Sequence, residues 1–263
     1  MNTVVVKLGG HALDSLEPTS PVLADLASDI LELHASGTNV AVVHGGGPQI
    51  ATLLATAGVA SRFHEGLRIT DEVTMGYVAM ALGGVNLRIV AALNQAGLDC
   101  IGLSGADRSV LRAVSLGEPW IRAGGPPTVR GGFLASLWGI GLTPVLSPVA
   151  VDDEGRLLNC NADTAAGAVA GAVGAFALIL LSDIDQLRTD PDDASSAIST
   201  VTSDEVRGLV KSGAAREGMR PKMIAALDAL DGGATRIVIA NGTRPHAVRN
   251  ALASSIPTTE VVR

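Results

Sequence analysis

Only three lysines stand against sixteen arginines in this 263-residue chain, and two of them, Lys7 and Lys222, occupy positions where an ammonium group needs an anion. Lys7 lies inside the β-branched run TVVVKL, next to Gly9-Gly10. Burying it among valines is costly unless a negative group meets it; the alternative is a solvated strand end. Lys222 follows Pro221 in GMRPKMIAALDAL, where it opens an amphipathic helix. A cation there opposes the helix dipole, so it reads either as an ordinary surface lysine or as one matched by a bound anion. Lys211, in LVKSG, carries no proposed role.

The segment NCNAD sets Asn159, Asn161 and Asp163 at alternate positions, on one side of an extended stretch running into a helix expected from about Thr164. Cys160 then points the other way. Asp163 is a helix cap by residue type, and capping alone would account for it. Arg68, in GLRIT, is a surface arginine or a bidentate carboxylate ligand, since its planar fork suits that task.

Two glycine clusters, KLGG at 7–10 and HGGG at 44–47, follow apolar runs. Either is explained as a tight turn. Together they would set several unobstructed backbone N–H groups where helices begin, an arrangement that holds phosphate or carboxylate oxygens. They match neither GxGxxG nor GxxxxGK[ST]. Cys100 and Cys160 are too few for a disulfide framework, and no Cys/His spacing suggests a metal site.

The elements that would position these groups alternate. Short apolar runs at 3–8, 39–47 (ending in glycines), 99–105, 143–148, 177–183 and 236–241 read as strands, with helical patterns between them at 22–37, 48–58 and 73–97. Continuously apolar strands alternating with helices predict a three-layer α/β/α sandwich around an open, mostly parallel sheet. Ligands in such folds sit at the carboxyl ends of the strands. That places Gly9-Gly10, Gly45 to Gly47, Ser104-Gly105 and Ser182-Asp183 along one edge. RTDPDDASS, at 188–196, reads as a polar surface loop.

A mean hydropathy of +0.37 directs attention to the long uncharged runs. Gly131 to Val151 is broken by Gly139, Gly141, Pro144 and Pro148, and Thr164 to Ser182 divides at Gly174 into a helix and a strand, so neither reads as a membrane span. No basic segment precedes the first apolar run, and the expectation is a cytoplasmic protein without a membrane partner. A net charge of −7 argues against a nucleic-acid surface. With 2% aromatic residues and 31 glycines, the layers must pack through aliphatic and small side chains.

Taken together, KLGG, HGGG, GLRIT, NCNADTAAGA, LILLSD and GMRPK resemble the amino acid kinase family in content and order. The resemblance is strongest to members that phosphorylate the side-chain carboxylate of N-acetyl-L-glutamate in arginine biosynthesis. It implies ATP as donor, Mg2+ carried by the nucleotide, and no resident metal. It also implies an acyl-amino-acid lobe, with the dimer contact, over residues 1–175 and an ATP lobe over 176–263. Lys7 would stabilise the transferring phosphoryl group and Lys222 the leaving side, with Asp163 holding both. Gly10 and the N–H groups of Gly45 and Gly46 would cradle phosphoryl and substrate, and Arg68, Asn159 and Asn161 would hold the amino acid. Gly9, Ser182, Asp183, Arg188, Arg216 and Met219 would lie against the nucleotide. The alternatives are a kinase of the same fold for another amino-acid carboxylate, such as a carrier-protein-linked aminoadipate or glutamate, and a non-catalytic ligand-binding relative. A homodimer insensitive to arginine is expected; nothing in the sequence points to a PII-type regulator.

Overall fold

In the computed structural model, which describes residues 2–17, 19–189, 193–212 and 219–263, the apolar runs pair into one eight-stranded sheet. Its strands are β1 (Thr3–Leu8), β2 (Asn39–His44), β3 (Cys100–Ser104), β4 (Thr143–Ser147), β5 (Ala177–Ser182), β6 (Thr200–Thr202), β7 (Ile237–Asn241) and β8 (Thr258–Val262). They lie in the order β6-β8-β7-β5-β1-β2-β4-β3. The six from β7 to β3 run parallel, while β8 pairs antiparallel with β7 and carries β6 parallel at the edge. Valine, isoleucine and leucine on both faces make these strands suited to a sheet covered on both sides.

The helices are α1 (Pro21–Ala35), α2 (Gly47–Thr56), α3 (Glu72–Gln95), α4 (Gly131–Gly139), α5 (Ala162–Ala172), α6 (Ser203–Ser212), α7 (Arg220–Asp231) and α8 (Ala247–Leu252). Side chains alternate across the strands and so divide the core in two. Val4, Val6, Val40 and Val42 pack with Leu26 and Ile30 of α1, Ile89 and Leu93 of α3 and Val248 of α8. Val5, Ala41 and Val43 face Leu134 of α4, Val169 of α5, Val206 of α6 and Met223 of α7. Lys7 alternates with Val5 onto this second face, and His44 with Val42 onto the first.

Between α5 and α7, bulk is replaced by proximity. A Cβ at Gly167 would stand 2.5 Å from the carbonyl oxygen of Ala225, and one at Gly171 would stand 3.0 Å from the Cα of Gly232. The near absence of aromatic residues has this consequence: backbone meets backbone, with no side chain as spacer.

Beside the strand ends lies a smaller sheet of five short strands, in the order Ala123–Gly124, Leu157–Cys160, Val149–Val151, Leu111–Arg112 and Thr128–Val129. It carries NCNAD into the site. The polar stretch at 188–196 begins in a hairpin, with Leu187 and Arg188 paired to Ile198 and Ala197; residues 190–192 lie outside the described residues. The pattern at 73–97, which allowed one helix or two, is the single helix α3. That helix is long and apolar enough to cross a membrane by length and composition, but Val85, Ile89 and Leu93 on one face are fully engaged in the core.

Candidate active site

The chain leaves β1 for β2 on one side and later places β5 on the other, so the end of β1 is the point where strand order reverses. Such a point leaves a crevice at the carboxyl edge. Lys7 stands there, and Gly9, Gly45, Gly46, Arg68, Asn159, Asn161 and Asp163 join it around a cavity of about 280 Å³.

Asp163 enters from the first turn of α5. Its Oδ1 lies 2.9 Å from Lys7 Nζ and its Oδ2 3.6 Å from Lys222 Nζ, with the carboxylate side chain only 9% exposed. Burial pushes the Asp163 carboxyl up, but Lys7 and Lys222 outweigh it and hold the group below the usual carboxylate range. Lys7 and Lys222 thus share one buried carboxylate beside the cavity.

Asp163 is free for this because it is not the cap. Asn161 is the residue before α5, and its side-chain oxygen accepts from the N–H groups of Asp163 at 2.8 Å and Thr164 at 3.1 Å. The helix therefore begins at Ala162, two residues earlier than the sequence suggests. Asn161 keeps only its amide NH2 for a ligand.

The glycine cradle also differs from expectation. The Gly45 N–H continues the sheet by donating to Leu8 O at 2.9 Å. The N–H groups without an acceptor inside α2 are those opening the helix, from Gly46, Gly47 and Gln49, Pro48 having none. Gly46 must be small, since a Cβ there would stand 2.8 Å from Leu82. Gly10 begins a short 3-10 turn, Gly10–Leu13, directly after β1.

Arg68, which also lines the cavity, is buried, 8% exposed, with Nη2 donating to Gly47 O at 3.3 Å, Nη1 to the Ser61 hydroxyl, and the guanidinium 4.6 Å above the Phe63 ring. Burial lowers its pKa from the ordinary value, yet a guanidinium stays charged throughout the working range. No carboxylate among the described residues pairs with it. Asn159 Nδ2 donates to Thr70 Oγ1 at 3.1 Å, and Thr70 in turn donates to Arg68 O at 2.9 Å. Thr70, fully buried, thus ties Asn159 to the Arg68 backbone. It stands inside GLRIT, but nothing in sequence spacing relates it to Asn159.

Of the residues expected against the nucleotide, Gly9 lines the Lys7 cavity. Ser182 ends β5, beside the end of β1, and is buried; Asp183 follows it and is exposed. Arg188 is exposed in the hairpin, and Met219 precedes α7. None of these four lines the Lys7 cavity. Arg216 lies outside the described residues.

An open α/β/α sandwich with two lysines joined by a buried aspartate at a glycine-lined strand edge defines a phosphotransferase that handles small anionic acceptors. The chain belongs to the amino acid kinase family, whose model matches residues 2–241. Its relatives within that family include the acetylglutamate kinase of Azorhizobium caulinodans, 41% identical over 93% of this chain and 84% of that enzyme. The acetylglutamate kinase of Desulfitobacterium hafniense is 38% identical over 94% and 86%. Among solved structures, a Streptococcus mutans protein superposes with a TM-score of 0.80 at 27% identity, covering 91% of this chain and 94% of that one.

Proposed function

We propose that this protein transfers the γ-phosphoryl group of ATP to the side-chain carboxylate of N-acetyl-L-glutamate, giving N-acetylglutamyl 5-phosphate and ADP, a step of arginine biosynthesis. The observation that carries the reading is that Lys7 and the aspartate it shares with Lys222 line the same cavity as a buried guanidinium that pairs with no carboxylate among the described residues. A substrate with two carboxylates fits both: Arg68 and Asn159 hold the α-carboxylate and amide, and the side-chain carboxylate faces the lysines.

The reaction follows from charge. The attacking carboxylate is already ionised at neutral pH, so no general base is required, and the difficulty is bringing two anions into line. Lys7 neutralises the transferring phosphoryl group, Lys222 the charge that builds on the β-phosphate side, and Asp163 fixes both ammonium groups. The Gly46 N–H adds a donor to the phosphoryl oxygens. Magnesium arrives with the nucleotide as part of the substrate. The acyl amino acid belongs to the part formed by 1–175 and the nucleotide to that formed by 176–263, over the ends of β5 and β7.

Two features support a homodimer. Val73, Met80 and Leu87 are 61%, 65% and 72% exposed at seven-residue intervals on α3, and Gly76, Gly83 and Gly84 leave open space along the same helix. A second copy of α3 crossing there covers the stripe. The cytoplasm, where ATP and acyl amino acids are available, is the compartment this activity requires.

Purified protein given MgATP and a panel of N-acetylglutamate, glutamate, aspartate, N-acetylaspartate and aminoadipate tests the assignment. ADP release with acyl-hydroxamate formation on N-acetylglutamate alone is the expected result. Preference for another acceptor overturns the substrate, and binding without turnover on any member overturns the enzyme.

A further inference from the structure

His44 belongs to the HGGG motif but does not line the cavity; it is fully buried on the opposite face of the sheet from Lys7. Its Nδ1 lies 2.7 Å from the carbonyl oxygen of Gly45, and its Nε2 lies 3.0 Å from Nδ2 of Asn86 in α3. These partners fix the proton. A carbonyl only accepts, so Nδ1 carries the hydrogen; Nε2 must then accept from the Asn86 amide. The amide orientation is fixed in turn, because the same Nδ2 donates to Val145 O at 3.0 Å, which leaves no place for Oδ1 there. Both Asn86 amide hydrogens are thereby used. Gly102 in β3 makes the room, since a Cβ at that position would overlap Asn86 Oδ1.

The consequence concerns the next peptide. A trans peptide unit is planar, with its C=O and N–H pointing in opposite directions. Drawing the Gly45 carbonyl toward the imidazole turns the Gly46 N–H away from it, toward the side where Gly45, Gly46 and Gly47 line the cavity. Glycine at 45 and 46 leaves this peptide free to rotate unless something holds it. We propose that His44 is a positioning residue for phosphoryl transfer: oriented by Asn86, it clamps the Gly45 carbonyl so that the Gly46 N–H points at the transferring phosphoryl group. The inference rests on the kinase reading above. Burial pushes the imidazole pKa down to about 4 despite the Gly45 carbonyl, so the clamp stays neutral and adds no charge to the site.

Histidine 15N spectra of the labelled protein, with His44 assigned by subtraction against His44→Asn, are expected to show the Nδ1–H tautomer at neutral pH. Addition of MgAMPPNP with N-acetylglutamate is expected to shift the Gly46 amide resonance in the native protein and to leave it largely unmoved in His44→Ala. In the assay His44→Ala should lose about a hundredfold in kcat, with KM for both substrates within about threefold. His44→Asn, which keeps an amide donor near the Nδ1 position, should recover part of that loss. An Nε2–H tautomer, a Gly46 amide indifferent to the ligands, or a folded His44→Ala with native kcat overturns the proposal. Should His44→Ala fail to fold, Asn86→Leu takes its place: loss of the Nδ1–H tautomer together with kcat supports the clamp, and retention of both overturns it. The tautomer requires neither turnover nor ligand, so an enzyme inactive on N-acetylglutamate would refute the function while the tautomer in the native protein and in Asn86→Leu still decides the clamp.

Discussion

The side chain of Lys7 folds back over Gly9, two residues further on, so that a methyl group on Gly9 would overlap the Lys7 ammonium. The glycine after this strand therefore makes room for a cation as well as for a turn. Gly9→Ala displaces only the flexible end of a side chain, so the fold should tolerate it. The ammonium, however, leaves its place on Asp163. The expected outcome is a Tm within a few degrees of the native protein and a kcat lower by about ten- to a hundredfold, read by thermal melting and ADP release on the same preparation.

Lys222→Ala removes the more distant of the two cations on Asp163, at 3.6 Å. Charge on the leaving phosphate develops only as the reaction proceeds, so the loss should fall on kcat by about a hundredfold or more, with KM for the acyl substrate little altered. Steady-state kinetics in both substrates checks this; native turnover would remove Lys222 from the mechanism.

Gly167 fixes how closely α7 can approach α5, and hence how near Lys222 comes to Asp163. A Cβ there meets the Ala225 carbonyl at 2.5 Å, backbone that cannot swing aside. Gly167→Ala should destabilise the protein by about 1–3 kcal/mol and lower kcat with it. Gly208→Ala, on α6 with nothing within 4 Å, is the control and should do neither.

His44 makes stability depend on acid. Its pKa is pushed down from 6.5 to about 4 in the fold, so between these values the unfolded chain binds a proton that the folded one does not. Unfolding is then favoured as pH falls from about 6.5 toward 4, by up to about 3 kcal/mol, and no further below that from this group. Asp163, held below the usual carboxylate range, acts in the same direction at lower pH. Urea unfolding from pH 7 to 4 measures the slope. In His44→Asn it should flatten over the upper part of this window.

Leu87 is the most exposed residue of the stripe on α3, 72% exposed. Leu87→Asp should leave the monomer fold intact and halve the mass seen by light scattering, because a carboxylate facing its own copy across a two-fold axis is both desolvated and repelled. An unchanged mass would remove α3 from the dimer contact.

The parallel sheet, its two apolar faces and the alignment of Lys7, the glycine clusters and Ser182 on one edge were legible in the sequence. Alternation and the continuity of apolar runs are local properties, and they report burial directly. The residue types proposed for the chemistry stand out in the sequence too, since a lysine among valines or an arginine beside a turn is conspicuous where charges are few. Helix start was less legible: NCNAD holds three residues able to cap, and only the packed backbone selects Asn161 and frees Asp163. The N–H assignment failed similarly at Gly45, whose amide continues the ladder to Leu8, a partner from another strand.

What the sequence determined by itself was which groups exist and which edge of the sheet they reach. What the tertiary structure decided was their pairing: Lys222 with Asp163 through the glycine contact of two helices, Asn159 with Arg68 through Thr70, and His44 with Asn86 across forty-two positions of chain. Periodicity operates over a few residues, whereas these contacts depend on the separation of packed layers, set by side-chain volumes far from the groups they bring together.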